Sequence, residues 1–243
     1  MKLFIPKYLF LLLCISFSSS LMAQDDLEKA TALMMRVKNA YDSANMSFQM
    51  KYTYAAADKP NIITDSLTGE IKMSGKDCLT SIGNVVLLKN KSYSISIFKE
   101  DKLMMLSRPS ELTESVQLPT TAITAALKKT GVVSCSMKKV KQMTSIIFKY
   151  DENASCKTLE VMIDETALRI MSMKAQVKKP GDADAQAASD TYVIISSVFS
   201  GFKSEKVDPS TFDEHMFFTR TGNVFKPSPK YADYQVFLAS PNF

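Results

Sequence analysis

From Asn45 to Ala55 the chain reads NMSFQMKYTYA, with Met46, Phe48, Met50, Tyr52 and Tyr54 alternating with Ser47, Gln49, Lys51 and Thr53. A strict period of two over this length describes a strand with one wet face and one dry face. The dry face has to be covered, either by the chain's own core or in part by something that comes and goes.

The same signature recurs along the chain. After the turn residues Asp58 to Asn61, a second strand runs through Leu67, Gly69, Ile71 and Met73. Cys78 to Ile82, Val85 to Leu88, the alternation of Tyr93, Ile95 and Ile97 with serines, and Leu103 to Ser107 follow, each bounded by Gly, Asn or Lys turns. This is a meander of short antiparallel strands. Strands resume at Val132 to Met137, Met143 to Tyr150, Lys157 to Ile163, Ala167 to Val177 and Tyr192 to Phe202. Lys178 to Asp190 is a polar exposed loop. Beyond Asp213 the pattern weakens: Met216 to Phe218 and Tyr234 to Leu238 read as short strands, with Gly222, Pro227 and Pro229 breaking the segment between.

Two helices are predicted. Leu27, Ala30, Met34, Val37 and Tyr41 recur at spacings of three and four behind a capping Asp25 or Asp26, which makes an amphipathic helix. Pro119 opens a second, Thr120 to Lys129, with Ile123, Ala126 and Leu127 on its apolar stripe and Gly131 after it. The pattern as a whole predicts an α+β fold, in which a large antiparallel sheet carries two helices on its concave face.

The N-terminus bounds the compartment. MKLFIPKYLFLLLCISFSSSLMAQDD has Lys2 and Lys7 before an apolar run and Ala23 before a polar stretch, the layout of a signal peptide spanning residues 1–23. The uninterrupted apolar run from Tyr8 to Phe17 is far short of the ~20 residues of a membrane span, and the bulky Leu13 disfavours lipidation at Cys14. Residues 24–243 are then read as a single domain, with 218–243 an irregular C-terminal extension. Losing Lys2 and Lys7 takes the formal charge from +5 to +3. The lysines are scattered, so they read as a solvated surface rather than a nucleic-acid footprint. Peripheral membrane contact at most is expected.

Cys78, Cys135 and Cys156 remain after cleavage, an odd number. Cys135 and Cys156 would be the pair to join in an oxidising compartment. One intervening strand, however, separates their Cα atoms by ~9–10 Å, beyond disulfide reach, so free buried thiols are expected. One histidine, His215 in DEHMFF, and no close cysteine pair argue against a metal site. No nucleophile elbow or glycine-rich phosphate loop is present, so no enzyme activity and no cofactor are expected.

The order of elements resembles the periplasmic outer-membrane lipoprotein carrier (LolA-like) family. The resemblance rests on the signal peptide, the helix ending in Tyr41, the alternating strand and the hairpin strand Gly69-Glu70-Ile71-Lys72-Met73. A mid-chain helix and long strands ending in SSVFSGFKSEKVDPSTF complete it, from roughly Asp25 to Phe218. It implies a curved, incomplete antiparallel β-barrel with helices closing the open side, and a periplasmic role in outer-membrane biogenesis. It also implies transport, an apolar cavity shuttling the acyl chains of lipoproteins. Members of the family place a gating arginine early in the sheet. Here the segment after Gly75 reads KDCLTSIGN, and Arg36, Arg108, Arg169 and Arg220 are the only arginines.

Fifteen methionines, many of them in predicted strands, suit a surface that repacks around variable apolar ligands. The expected cavity lining is Met34, Val37, Met46, Phe48, Met50, Tyr52, Ile71, Met73, Ile123 and Leu127. The alternative is a non-catalytic scaffold or accessory subunit of an envelope assembly, with a filled core. In that reading Phe225, Tyr231, Tyr234, Phe237 and Phe243 of the C-terminal tail dock on an envelope partner; they could equally fold back over the sheet.

Overall fold

A computed structural model describes residues 26–109, 131–179 and 192–240. The expected second helix, with Ile123 and Leu127, lies outside them, as do the expected signal peptide, Phe243 and all but the first residues of the loop from Lys178.

Helix α1 (residues 26–42) buries most of its stripe: Ala30, Met34, Val37 and Tyr41 are each 0% exposed, while Leu27 is half-buried. Its two ends are fastened to the sheet by hydrogen bonds. The Met137 N–H donates to Asp26 Oδ2 at 3.1 Å, and the Ile170 N–H donates to the Tyr41 hydroxyl oxygen at 3.2 Å.

The alternating segments all form strands. They are β1 (Asn45–Ala56), β2 (Ile63–Ser74), β3 (Asp77–Ile82), β4 (Val85–Lys89), β5 (Ser94–Phe98), β6 (Leu103–Ser107), β7 (Val132–Val140), β8 (Met143–Tyr150), β9 (Cys156–Asp164), β10 (Arg169–Lys178) and β11 (Tyr192–Lys203). The extension adds the hairpin β12 (Phe218–Thr221) and β13 (Val224–Pro227), then β14 (Gln235–Leu238). One twelve-stranded sheet has the order β14-β6-β5-β4-β3-β2-β1-β11-β10-β9-β8-β7. Every pairing is antiparallel except β14 against β6, and β7 and β14 are its edges, so the curved sheet stays open. The α+β class with a curved, incomplete antiparallel barrel is therefore the one the chain adopts. At Gly201, φ is +63°, a conformation that suits a residue without a Cβ. It lies where β11 bulges against Ser47 and Gln49 of β1.

Two cores lie on opposite faces of this sheet. On the helix side, α1 packs on Met46, Phe48, Ile71, Met73 and Cys78 and on β7–β11 residues such as Phe148, Val161 and Ile170. Three aromatic rings surround Phe48, with Tyr41 and Phe199 edge-on and Phe202 stacked at 5.0 Å. On the outer side, Leu88, Ile95, Ile97, Met104 and Leu106 are covered by the C-terminal segment through Val207, Phe212, Phe217, Phe218 and Tyr231. The change of side occurs within β3, where Cys78 belongs to the first core and its neighbour Leu79 packs against the second. Consecutive strand residues point to opposite faces, so a single step along the chain suffices.

The tail thus folds back over the sheet. Tyr231 stacks on Phe217 at 5.7 Å, Tyr234 sits edge-on to Tyr231, and Phe225 packs against the second core, while Phe237 stays 56% exposed. Met216 falls in a 3-10 turn rather than a strand, and β13 forms across the segment that Pro227 and Gly222 were expected to break. Pro227 closes the last residue of a two-stranded ribbon, where a missing N–H is tolerated.

Candidate functional site

Residues directly opposite each other in a sheet share a face, so the register defines the helix-side surface. One row runs Phe48, Ile71, Thr80, Leu87, Ser96, Met105, and the next runs Met50, Gly69, Ile82, Val85, Phe98, Leu103. At the β1 and β2 end these rows enter the packed core. Beyond β3 they leave it: Leu87, Met105, Val85, Phe98 and Leu103 are half-buried, and among the described residues they belong to neither core.

The result is an apolar trough on the helix side of β3–β6, continuous with Met50 and Tyr52. Polar groups enter it at Thr80 and Ser96, and the adjoining row Cys78, Lys89, Ser94, Ser107 gives it a polar border. Thr80 and Ser94 are 2% and 3% exposed; Thr80 Oγ1 lies 3.7 Å from Cys78 Sγ, and the Ser107 hydroxyl donates to the Ser94 carbonyl at 3.4 Å. Burial pushes the Cys78 thiol up to about 12, against a smaller lowering by Thr80. Tyr52 is also raised, chiefly by burial and then by Tyr54 and Asp65.

The structure divides the ten expected lining residues. Met34, Val37, Met46, Phe48, Ile71 and Met73 are 0–7% exposed and lie in the core beneath α1. Met50 and Tyr52 are half-buried and face the trough. Ile123 and Leu127 lie outside the described residues. Leu87, Val85, Phe98, Leu103 and Met105 escaped the sequence reading. Their signal was the unbroken apolar runs Val85-Val86-Leu87-Leu88 and Leu103-Met104-Met105-Leu106. Such runs place apolar side chains on both faces, the mark of a strand covered on two sides.

The titratable groups can be placed one by one among the described residues. His215 is exposed in the turn Glu214–Met216, with Nδ1 2.7 Å from Asp213 Oδ1, and that hydrogen bond raises its pKa. Among the described residues no group of His, Cys, Asp and Glu could hold a metal. Cys78, Cys135 and Cys156 are free, with β8 standing between the strands of Cys135 and Cys156. Arg169 lies over the Phe202 ring at 4.9 Å and bonds Ser204, and Arg220 bonds the Gly222 carbonyl.

No family model matches the chain, and no curated protein is similar to it. Among solved structures it is similar to an uncharacterized conserved protein from Thermus thermophilus, at 8% identity over 86% of this chain and 99% of the other, TM-score 0.49. It is also similar to a LolA superfamily protein from Nitrosomonas europaea, at 11% identity over 81% and 99% of the two chains, TM-score 0.36. A third is the lipoprotein LppX from Mycobacterium tuberculosis, at 11% identity over 74% and 98%, TM-score 0.41. These are likenesses of fold.

Proposed function

We propose that the protein is a periplasmic carrier or chaperone. It would hold an acyl chain of a lipoprotein, or another apolar ligand, in the helix-side trough, after export directed by residues 1–23. The observation that supports this is the half-buried apolar row across β3–β6. Eleven antiparallel strands at ~4.8 Å spacing span roughly 50 Å, whereas the seventeen residues of α1 reach ~25 Å with a width of ~10 Å. Among the described residues this one helix covers only part of the helix side. Burying ~10 methylenes of an acyl chain at ~0.8 kcal/mol each gives a gross gain of ~8 kcal/mol, and no covalent step is required. Met50 and Met105 give the surface room to adapt.

Uptake of a fluorescent fatty acid tests this reading. Met105→Glu and Leu87→Glu, each placing a carboxylate in the trough, are expected to weaken uptake at least ~10-fold, since an unpaired buried charge is costly. Lys174→Glu on the opposite face leaves uptake unchanged. Equal uptake by all four proteins, with melting temperatures preserved, contradicts the proposal.

The burial of Met34, Val37, Met46, Phe48, Ile71 and Met73 favours a second reading, in which the same fold is a non-catalytic scaffold of an envelope assembly. A scaffold takes up no fatty acid at all.

A further inference from the structure

The C-terminal segment and the outer face of the sheet border a half-open pocket of about 720 Å³, on the side away from the trough. Its walls are apolar: Leu79 and Val86 come from the sheet, while Phe217 and Tyr231, both nearly fully buried, come from the extension. Lys99, Lys102 and Lys230 also line it, set against a single carboxylate, Asp233. Lys102 pairs with Asp233 at 3.2 Å and lies over the Tyr234 ring at 5.0 Å. Lys230 lies over the Tyr231 ring at 5.3 Å, and neither it nor Lys99 has an ion pair among the described residues. Two positive charges therefore stand uncompensated beside an aromatic and aliphatic hollow.

We infer that this cavity is a second binding site, for a single-tailed amphiphile with a phosphate head. A simple anion would leave the apolar walls wet, and a simple hydrocarbon would leave two ammonium groups unmatched. An amphiphile satisfies both, and lysines serve phosphate as mobile point charges. The volume falls within the ~300–1,000 Å³ of ordinary small-molecule sites. Met216, 43% exposed, lines the cavity as a flexible apolar side chain that can follow the tail. The site is made by residues 216–234 together with the outer face of β3 and β4 and the β5–β6 turn, on the face opposite the trough, so it stands independently of the carrier reading.

Calorimetric titration of the full chain with lysophosphatidylglycerol below its micellar concentration tests the inference, with zwitterionic lysophosphatidylcholine of equal tail length as reference. The anionic lipid is expected to bind at least ~10-fold more tightly than the reference. The double variant K99E/K230E, whose substitutions are at exposed positions, should abolish that preference without moving the melting temperature. Met105→Glu, in the trough, should leave the preference intact. Equal affinity for the two lipids overturns the inference, as does anionic preference retained in K99E/K230E or lost in Met105→Glu. Fatty-acid uptake lost only in Met105→Glu reports on the trough alone, so failure at one site is distinguishable from failure at the other.

Discussion

A Cβ added to Gly69 would lie 2.4 Å from the Ser81 carbonyl oxygen and 2.9 Å from the Ile82 Cβ. Backbone there cannot yield cheaply, so the absent side chain is what lets β2 and β3 approach. Gly69→Ala is expected to destabilise by ~1–3 kcal/mol, the scale of overpacking, readable as a lower midpoint in urea. Tyr41 is the counterpart on the helix: Tyr41→Phe keeps the ring against Phe48 but orphans the Ile170 N–H. A loss of ~1–3 kcal/mol is expected, and an unchanged midpoint would show that the bond contributes nothing. The buried thiol of Cys78 makes an alkaline prediction. Unfolded, it ionises near 9; folded, it stays protonated to about 12. Its contribution is therefore fully present below pH 9 and is lost as pH rises towards 12, at ~1.4 kcal/mol per pH unit. Urea midpoints measured from pH 8 to 11 should fall more steeply in the wild type than in Cys78→Ala. These residues differ in how far the sequence announced them. Tyr41 was visible as the last point of a helical stripe. Gly69 could be read only as a strand glycine, because its reason lies in a neighbouring strand's backbone.

At the scale of elements, period and spacing located α1 and all eleven strands of the antiparallel series, because each buries one face of a regular element. The same patterns could not say which side of the sheet each dry face would join. Alternation fixes two faces and leaves their global side open, and the exchange of cores at Cys78 and Leu79 follows from pairing with β4. The extension was least legible, since its packing is carried by irregularly spaced rings, Phe217, Phe218, Phe225 and Tyr231, rather than by a repeat. Its role in stability is testable. Deleting Gly222 to Phe243 removes β14 from the edge of β6 and Tyr231 from Phe217, uncovering Met104 and Leu106. Thermal melting is expected to drop by ~10 °C or more, as the loss of several buried aromatics implies. A tail whose only role is to dock on a partner would come away with no change in melting.

Across the described residues, one continuous sheet carries α1 on the helix side and the C-terminal segment on the outer side of β3–β6, with a guest proposed for the trough. Scattered lysines illustrate why function was less legible than fold. Lys99 and Lys230 lie 131 positions apart and line one pocket only because the extension returns across the sheet. The trough was half-legible, with Met50 and Tyr52 named by alternation and Phe98, Leu103 and Met105 supplied by register. The decisive measurement is native mass spectrometry of the protein purified from the cell envelope, beside Met105→Glu prepared identically. The wild type should carry an adduct with the mass of an acyl-bearing lipid, diminished in Met105→Glu. A wild-type protein that flies bare, and stays bare after incubation with fatty acid, would contradict a trough that holds cargo.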